Sequence, residues 1–381
     1  MKKSILSAFA LSLILFSCSD DDTTDVVDAG NDCPTATEAE CSVVVTDGDI
    51  DYTAGTAVDV SGWTWKDATL TPSVISVAAR SADELPTASV EVLNGDLTED
   101  KTLDGSYSLT GAYVVKSGNT LTIEAGTEIT ATVESGDATS VYIAVEAGAT
   151  ININGTATDP VVMSTLAGTS SGWGGLIIAG NAFTTAYDGE AVTAEVSGIT
   201  YGSDCDTNND ESSGSIQYLV LRGTGAQIDT ESQYNGLSLF GVGSGTTLEY
   251  IAVINGGDDG IEFFGGAAEA SYLYLENNED DSVDWTEGWS GGVSNVYISH
   301  TIEDFSTVIE GDKDNFEPYF TNLTAVSTTG GTGLQFKKSS GGVITGLNLS
   351  GYDTEFDVKD DALFNPCNVT IDGEVVSTTS L

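Results

Sequence analysis

The chain has 381 residues, of which 40% are hydrophobic, and its 59 acidic and 11 basic side chains give a formal net charge of −48. A surface this acidic repels phosphate backbones, so the composition excludes nucleic acid as a partner. Divalent cations or a saline environment fit the charge better. The hydrophobic content also excludes a chain that is disordered throughout.

The first 17 residues, MKKSILSAFALSLILFS, have the features of a secretory signal peptide. Two lysines precede an apolar run that is too short to span a bilayer as a stable helix, which leaves a retained membrane anchor as the alternative. The sequence LFSC resembles a bacterial lipobox, which implies cleavage before Cys18 and lipid attached to Cys18. Several acyl chains would hold the mature protein on a membrane.

An acidic stretch follows at residues 18–45, and its lack of large apolar groups predicts a flexible tether. Its Cys-Ser-Asp-Asp-Asp start resembles the export signal of surface-exposed Bacteroidetes lipoproteins, which implies an outer-membrane protein facing the cell exterior. Cys33 and Cys41 lie close enough in sequence to form a disulfide bond in an oxidising compartment. The sequence does not decide whether Cys205 and Cys367 pair.

The rest of the chain is predicted to be all-β, because short apolar alternations are separated by Gly, Asn, Asp and Ser and no long stretch has helical periodicity. Two strand families alternate with a period of about 22–26 residues. One starts at Leu219, Ile251, Leu273, Val296, Leu323, Leu347 and Val369, and the other at Leu237, Ile261, Val283, Ile309, Leu334 and Phe356.

This steady period favours a single-stranded parallel β-helix over a sandwich, since each coil of a β-helix adds one strand to each face. We predict the β-helix over residues 106–381. Strand edges are exposed only at the two ends, which need caps. Residues 46–105 are less periodic and are predicted to form an N-terminal cap or a small β module, while Val369 to Leu381 should close the other end.

Several motifs in this region, among them GWGGLIIAGNA and NGLSLFGVGSGTTLEYIAVINGGDDGIEFFGG, resemble a widespread family of Bacteroidetes surface lipoproteins. The resemblance covers the chain from about Leu109 to the C-terminus. It implies a right-handed parallel β-helix and a location on the cell surface. The family has no settled activity, so the resemblance supplies no catalytic residue.

An acidic pattern occurs twice with an offset of 22 residues, in the pairs Asp258/Asp280, Asp259/Asp281 and Glu262/Asp284. Side chains alternate along a strand, so the residue after each inward-facing strand start should point outward. The first outward line then reads Ser238, Glu262, Asp284, Glu310, Gln335 and Asp357. The second reads Phe240, Phe264, Thr286, Asp312, Lys337 and Lys359.

Carboxylates stacked on neighbouring strands, about 4.8 Å apart, repel each other by roughly 3 kcal/mol at an effective dielectric near 20. Protonation, a bound cation or a lysine such as Lys337 would relieve this repulsion. Calcium is the preferred cation because the chain offers carboxylate and carbonyl oxygens without soft ligands. The predicted ligands are Asp258, Asp259, Glu262, Asp280, Asp281, Asp284, Glu310 and Asp312.

Other interpretations of these residues stay open. Aspartates at coil corners often form turns, and acids within strands often lie on a solvated face. Phe240 and Phe264 should face outward beside the acids, where they and Gln335 are candidates for binding a sugar, although packing under a loop is the commoner arrangement. His300 follows a strand at a corner and is not predicted to be catalytic.

The favoured function is a non-catalytic cell-surface lipoprotein whose rigid acidic face binds a polysaccharide or a surface protein with the help of calcium. One alternative is a calcium-dependent polysaccharide lyase or glycoside hydrolase, because GGDDGIEFF resembles the Gly-Asp-Asp motif of polygalacturonase-like enzymes. Its catalytic candidates are Glu262, Asp284, Glu310 and Lys337, but the histidine and basic motifs of those hydrolases are missing. The other alternative is a structural or adhesive protein without a defined site.

Overall fold

The computed structural model describes residues 36–37, 45–46, 50–71, 90–133, 138–196, 198–204, 209–230, 232–359 and 363–377. The predicted signal peptide, the lipid attachment at Cys18 and the pairing of Cys33 with Cys41 lie outside these residues and stay predictions. Cys367 lies within the described residues and is disulfide-bonded, whereas the other four cysteines lie outside them. Within the described ranges, the search for a long apolar helix that could cross a membrane finds none.

Strands make up almost all of the regular structure. In chain order they are β1 (Val45–Thr46), β2 (Glu91–Leu97), β3 (Lys101–Leu103), β4 (Ser106–Val115), β5 (Thr120–Glu124), β6 (Glu128–Ala131), β7 (Ile143–Val145), β8 (Thr150–Asn154), β9 (Val161–Thr165), β10 (Leu176–Ala179), β11 (Val192–Thr193), β12 (Thr200–Tyr201), β13 (Gly214–Arg222), β14 (Leu237–Phe240), β15 (Thr247–Ile254), β16 (Ile261–Phe264), β17 (Glu269–Glu276), β18 (Val283–Thr286), β19 (Gly292–His300), β20 (Thr307–Asp312), β21 (Tyr319–Ser327), β22 (Thr332–Lys337), β23 (Gly342–Thr345), β24 (Asn348–Ser350), β25 (Thr354–Lys359), β26 (Val369–Ile371) and β27 (Glu374–Ser377). Within the described residues, short 3-10 turns lie at Thr64–Asp67, Ala138–Ser140 and Pro366–Asn368.

The strands stack in parallel on three faces of a solenoid, each pairing with the strands one coil before and one coil after it. Face A consists of the end of β4 followed by β7, β10, β14, β16, β18, β20, β22 and β25. Face B consists of β3, β5 and β8, the first parts of β13, β15, β17, β19 and β21, and then β23 and β26. Face C consists of the start of β4, β6 and β9, the second parts of the same five long strands, and β24. The predicted parallel β-helix is therefore confirmed.

The five long strands bend from face B to face C at one residue each in the left-handed backbone region. These residues have φ values of 54° to 58° and are Tyr218, Tyr250, Tyr272, Asn295 and Asn322. The three tyrosine rings stack on one another with centroid separations of 4.3 and 4.5 Å. Ring stacking along the corner offsets part of the strain that a left-handed conformation imposes on residues other than glycine.

Inward-facing side chains form one continuous core along the solenoid. On face A, Ile261 and Phe263 of β16 and Val283 and Trp285 of β18 are all at most 1% exposed. Full burial of such side chains stabilises the fold by roughly 1.5–3 kcal/mol each. Their neighbours on the same strands face outward, so the alternation that builds the core also sets the acidic line.

The solenoid begins before the predicted boundary at residue 106. Strand β2 pairs with β4, where Leu93 lies opposite Leu109, and β3 pairs with β5, where Leu103 lies opposite Ile123. Residues 91–103 thus form a coil of the solenoid, although the period-based prediction assigned them to an N-terminal cap or a small β module. The start was missed because this coil has the most exposed strand, with only two buried residues in β2.

Residues 50–71, called the strap below, run along face C from the last coils towards the early ones. The Gly55 N–H donates to the Leu347 carbonyl at 2.8 Å, while the Thr71 N–H donates to the Glu128 carboxylate at 3.0 Å. Between these points, the Trp65 ring packs against Tyr218 with a centroid separation of 5.9 Å. This course differs from the predicted N-terminal cap.

The C-terminal end of the solenoid combines both ends of the described chain. Strands β26 and β27 form an antiparallel hairpin after the last coil, and β1 adds to β27 in parallel, with Val45 opposite Val376. The chain therefore enters the fold at its C-terminal coils and reaches its first coil only after the strap.

Candidate functional site

The predicted acidic line forms on face A. Glu262, Asp284 and Glu310 occupy equivalent positions on β16, β18 and β20, with Glu262 opposite Asp284 and Asp284 opposite Glu310. Because these strands are hydrogen-bonded neighbours, the three carboxylates are about 4.8 Å apart along the solenoid axis at their backbones.

The aspartates at the preceding corners join this line. Carboxylate oxygens within 4.8 Å of one another form three sets, which are Asp258/Asp259/Asp280, Asp259/Glu262/Asp284 and Asp281/Asp284/Glu310. The first two sets share Asp259, and the last two share Asp284. Seven carboxylates from three coils therefore form a continuous row, called the acidic row below.

Two corner aspartates connect neighbouring coils. Asp259 is 6% exposed and accepts a hydrogen bond of 2.8 Å from the N–H of Asp281, one coil further along. Asp281 is 3% exposed and accepts from the hydroxyl of Thr307 at 2.6 Å, again one coil further. These bonds are not the local turn contacts that the alternative interpretation expected, although they do give both aspartates a structural role.

The strand acids are less completely bonded. Glu262 accepts a hydrogen bond of 2.6 Å from the side-chain amide of Asn235. The Oδ1 atom of Asp284 is buried and has no hydrogen-bond partner among the described residues. A buried oxygen without a partner is unfavourable, and a carboxylate oxygen more so, unless a ligand or a proton satisfies it.

Burial raises the pKa of every carboxyl in the acidic row, and repulsion between neighbouring carboxylates raises most of them further. The pKa of Asp258 rises to about 7 and that of Asp281 to about 8. The pKa values of Asp259, Glu262 and Asp284 lie well above their usual range for the same two reasons. The row therefore binds protons near neutral pH when no cation is present.

One lysine faces the acidic row within the described part of the chain. Lys337 forms an ion pair with Glu310, and its charge also lowers the pKa values of Asp281 and Asp284. The single positive charge leaves most of the seven carboxylates uncompensated. Asp312, a predicted metal ligand, lines the cleft but belongs to none of the three sets and pairs with Lys338 at 2.8 Å, so it lies outside the acidic row.

The acidic row opens into a cleft of about 300 Å³ on the outer side of face A. Its floor includes Glu262, Asp284 and Glu310, and its walls include Tyr201 of the β11–β12 hairpin and Glu287. The Tyr201 hydroxyl donates to Glu287 at 2.7 Å, which connects the hairpin to the loop after β18. Apart from Lys313 at the rim, every charged residue that lines the cleft is acidic.

The predicted sugar-binding residues are placed differently from expectation. Phe240 and Phe264 do lie on the outer side of face A, but the β11–β12 hairpin covers them and leaves them 1% and 7% exposed. Their rings stack at 4.1 Å, and Phe240 also packs against Tyr201 at 5.0 Å. They line the cleft without forming an open platform. Gln335 is 5% exposed and does not line the cleft, so it is not available as a ligand contact there.

The sequence interpretation missed the hairpin and with it Tyr201 and Glu287. The signal was an irregular spacing, since β10 and β14 are neighbours on face A but start 61 residues apart rather than 22–26.

His300 is fully buried between Ser282 and Tyr352, with contacts of 3.1 and 3.0 Å, and lies outside the cleft. Burial lowers its pKa to about 4, which keeps it neutral.

Comparison with known families gives one match. The family model described as a pectate-lyase like beta helix domain matches residues 95–379. The match starts within β2 and extends past β27, so it covers the solenoid and leaves the strap outside. Comparison with curated proteins finds no match.

Proposed function

Since the chain belongs to the family of pectate-lyase-like β-helix domains, we propose that the acidic row holds calcium and that the bound ion lets the cleft bind an acidic polysaccharide. The protein acts as a binding protein rather than an enzyme. It is held on the outer membrane by lipid on Cys18 and faces the cell exterior. The surface location is supported by the signal and tether in residues 1–45 and by the resemblance of the solenoid motifs to surface lipoproteins.

The observation that carries this proposal is that Asp284, whose buried Oδ1 atom has no hydrogen-bond partner among the described residues, belongs to two of the three carboxylate sets. Calcium binds six to eight oxygens at about 2.3–2.6 Å, so opposite ligands of one ion are about 4.8 Å apart. The oxygens of each set lie within that separation. Magnesium requires a tighter octahedron with distances of about 2.0–2.1 Å, which carboxylates held at strand spacing do not favour.

The charge of the cleft explains why the ion is needed for an acidic polysaccharide. Glu195 and Glu287 on the walls repel sugar carboxylates, as does the acidic row on the floor. A calcium ion held by Asp259, Glu262 and Asp284, or by Asp281, Asp284 and Glu310, would neutralise part of the row. It would supply a positive charge to which sugar carboxylates could bind.

The basic residues support a binding role over catalysis. Arg222 lies on face C, where its guanidinium donates to the strap carbonyls of Lys66 at 2.8 Å and Ala68 at 3.1 Å. Lys337 is paired with Glu310. Neither is positioned as a free base in the cleft, which a lyase requires. Lys313, which does line the cleft, lies 3.9 Å from the Asp312 carboxylate.

A glycoside hydrolase is the second candidate, because stacked acids line an open cleft. Retaining hydrolases hold two carboxyl groups about 5–5.5 Å apart, and neighbouring strands of face A bring Glu262, Asp284 and Glu310 near this spacing. New reducing ends released from polygalacturonate by the wild-type protein, and absent with the variant Asp284→Asn, would establish hydrolysis and refute a purely binding role.

Calorimetric titration of calcium into residues 19–381, with thermal unfolding in parallel, tests the proposal. We expect saturable binding and a higher melting temperature, both lost in the triple variant Glu262→Gln, Asp284→Asn, Glu310→Gln. A control variant removes three exposed acids, Glu303, Asp304 and Glu355, by the same substitutions and should bind calcium normally.

The polysaccharide step is tested separately. Polygalacturonate and alginate, immobilised on beads, should retain the wild-type protein with calcium and release it in EDTA. No calcium binding up to millimolar concentration overturns the metal site, and calcium binding without retention overturns the ligand.

A further inference from the structure

A second recess lies on face B, away from the acidic row. It is a groove of about 290 Å³ that crosses four consecutive coils, β15, β17, β19 and β21. Its central positions carry small residues, Ser271 on β17 and Gly292 and Ser294 on β19. Larger side chains surround them, so the groove exists because small residues interrupt a row of larger ones.

Tyr319 lies flat on this surface. A Cβ atom added to Gly292 would be 2.4 Å from the Cε2 and Cζ atoms of Tyr319 and 2.5 Å from its Cδ2 atom. A point that is equidistant from three consecutive ring atoms lies near the axis of the ring, so Gly292 sits beneath the ring centre rather than at its edge. One face of the ring therefore covers the glycine, and the other face is turned away from the sheet.

The ring is held at its far end as well. The Glu269 carboxylate on β17 lies beside its hydroxyl, while its backbone starts β21, so the side chain reaches back across β19. Burial and the neighbouring Glu269 carboxylate raise the pKa of Tyr319 to about 12, which keeps the phenol neutral. A rigid ring loses little conformational freedom when a ligand binds, which favours affinity.

Beside the ring, the groove offers hydroxyl groups and no positive charge. The hydroxyls of Ser271 and Ser294 make no hydrogen bond to any other described residue, so they are available to a ligand. Both carboxylates of the lining have a polar neighbour, since Glu249 accepts from Gln217 at 2.9 Å and Glu269 lies beside the Tyr319 hydroxyl. They would nevertheless repel an anionic ligand.

We propose that this groove is a binding site for a neutral oligosaccharide, with one sugar ring stacked on the free face of Tyr319 and its hydroxyls bonded to Ser271 and Ser294. A pyranose has an apolar face of C–H groups that matches an aromatic face, and hydroxyls around its edge that match serine. The site needs no metal and is separate from the calcium-dependent function of face A.

Calorimetric titration in EDTA with cellohexaose, laminarihexaose and mannohexaose, each up to about 10 mM, tests the site. We expect one or more of the three to bind. Tyr319→Ala should weaken that binding at least tenfold, while Tyr319→Phe, which keeps the ring, should stay within about threefold. Gly292→Ala should also weaken it, because the new methyl group displaces the ring.

Two controls separate this site from other causes. The double variant Gly292→Ala, Tyr319→Ala should bind no more weakly than Tyr319→Ala alone, since the methyl group then meets no ring. The triple variant of Glu262, Asp284 and Glu310 should bind the neutral sugars as the wild type does, and unchanged melting temperatures show that each variant is folded. The proposal is overturned if none of the three sugars binds, if binding survives Tyr319→Ala, or if binding is lost in the triple variant.

Discussion

Without calcium, the protein should lose stability as the pH rises from 5 to 8, because the acidic row holds protons that the unfolded chain releases. Burial and neighbouring carboxylates raise the pKa of Asp281 from 3.8 to about 8 and that of Asp258 to about 7. A carboxyl with a raised pKa in the folded state contributes its full stability below the unfolded pKa. That contribution is lost as the pH rises through the folded pKa.

The size of the effect follows from proton linkage. One proton taken up on folding changes the free energy of unfolding by about 1.4 kcal/mol per pH unit. Between pH 5 and pH 7, both of which lie between the unfolded and folded pKa values of Asp281, this residue alone lowers the free energy of unfolding by up to about 3 kcal/mol.

Urea unfolding in EDTA at pH 5, 6, 7 and 8 measures this slope for the wild type and for Asp281→Asn. The asparagine keeps an oxygen that can accept from Thr307 but cannot titrate, so its slope should be shallower by about 1 kcal/mol per pH unit. Saturating calcium should flatten or reverse the wild-type slope, because the ion binds only ionised carboxylates. Equal slopes for the two proteins in EDTA would refute the argument that the buried carboxyl of Asp281 is protonated near neutral pH.

Three further predictions concern the ion, the strap and the hairpin. Calcium binding at pH 7 should release at least about one proton, chiefly from Asp281. The number of protons released is measured from the binding heats in two buffers of different ionisation enthalpy. A release of zero would contradict the raised pKa values. Arg222→Ala should lower the free energy of unfolding by about 2–3 kcal/mol, because two strap carbonyls lose a charged donor. Lys101→Ala should lower it by less than about 1 kcal/mol, because Lys101 is paired only with the exposed Glu91. Equal losses in urea unfolding would show that Arg222 does not secure the strap. Phe240→Ala should cost about 3–5 kcal/mol, and a loss below about 1 kcal/mol would mean that the hairpin does not bury the ring.

The outward line of Glu262, Asp284 and Glu310 could be predicted from the sequence because a β-helix repeats one geometry. Coil lengths vary at the corners, but the aligned strands of face A carry an inward apolar residue at one shared position, and alternation then fixes the direction of the next side chain. The same rule turns Phe263 and Trp285 inward, and both lie in the core.

The coverings of the solenoid could not be predicted in this way. The β11–β12 hairpin and the strap lie outside the repeat and contact it across long sequence separations, as in the 2.8 Å bond from Gly55 to Leu347. The repeat period predicts which side chains point outward from a face. It does not predict which distant segment of the chain packs on them. Phe240 and Phe264 therefore pointed outward as expected and were nevertheless buried.

The acidic row is the place where this otherwise regular solenoid departs from favourable local chemistry. The outer side of β16 and β18 stacks like charges against a single lysine, while the inner side of the same strands buries Phe263 and Trp285. The core holds these strands in register however strongly the carboxylates repel one another, so the repulsion is retained in the folded state and not relaxed by movement. A rigid group of carboxylates that loses little freedom when an ion binds has more affinity for calcium than the same residues on a loop. The repulsion between the carboxylates and the rigidity that favours calcium binding thus have one structural cause. Strands β16 and β18 each present an acidic side chain on the outer side and an aromatic side chain on the inner side.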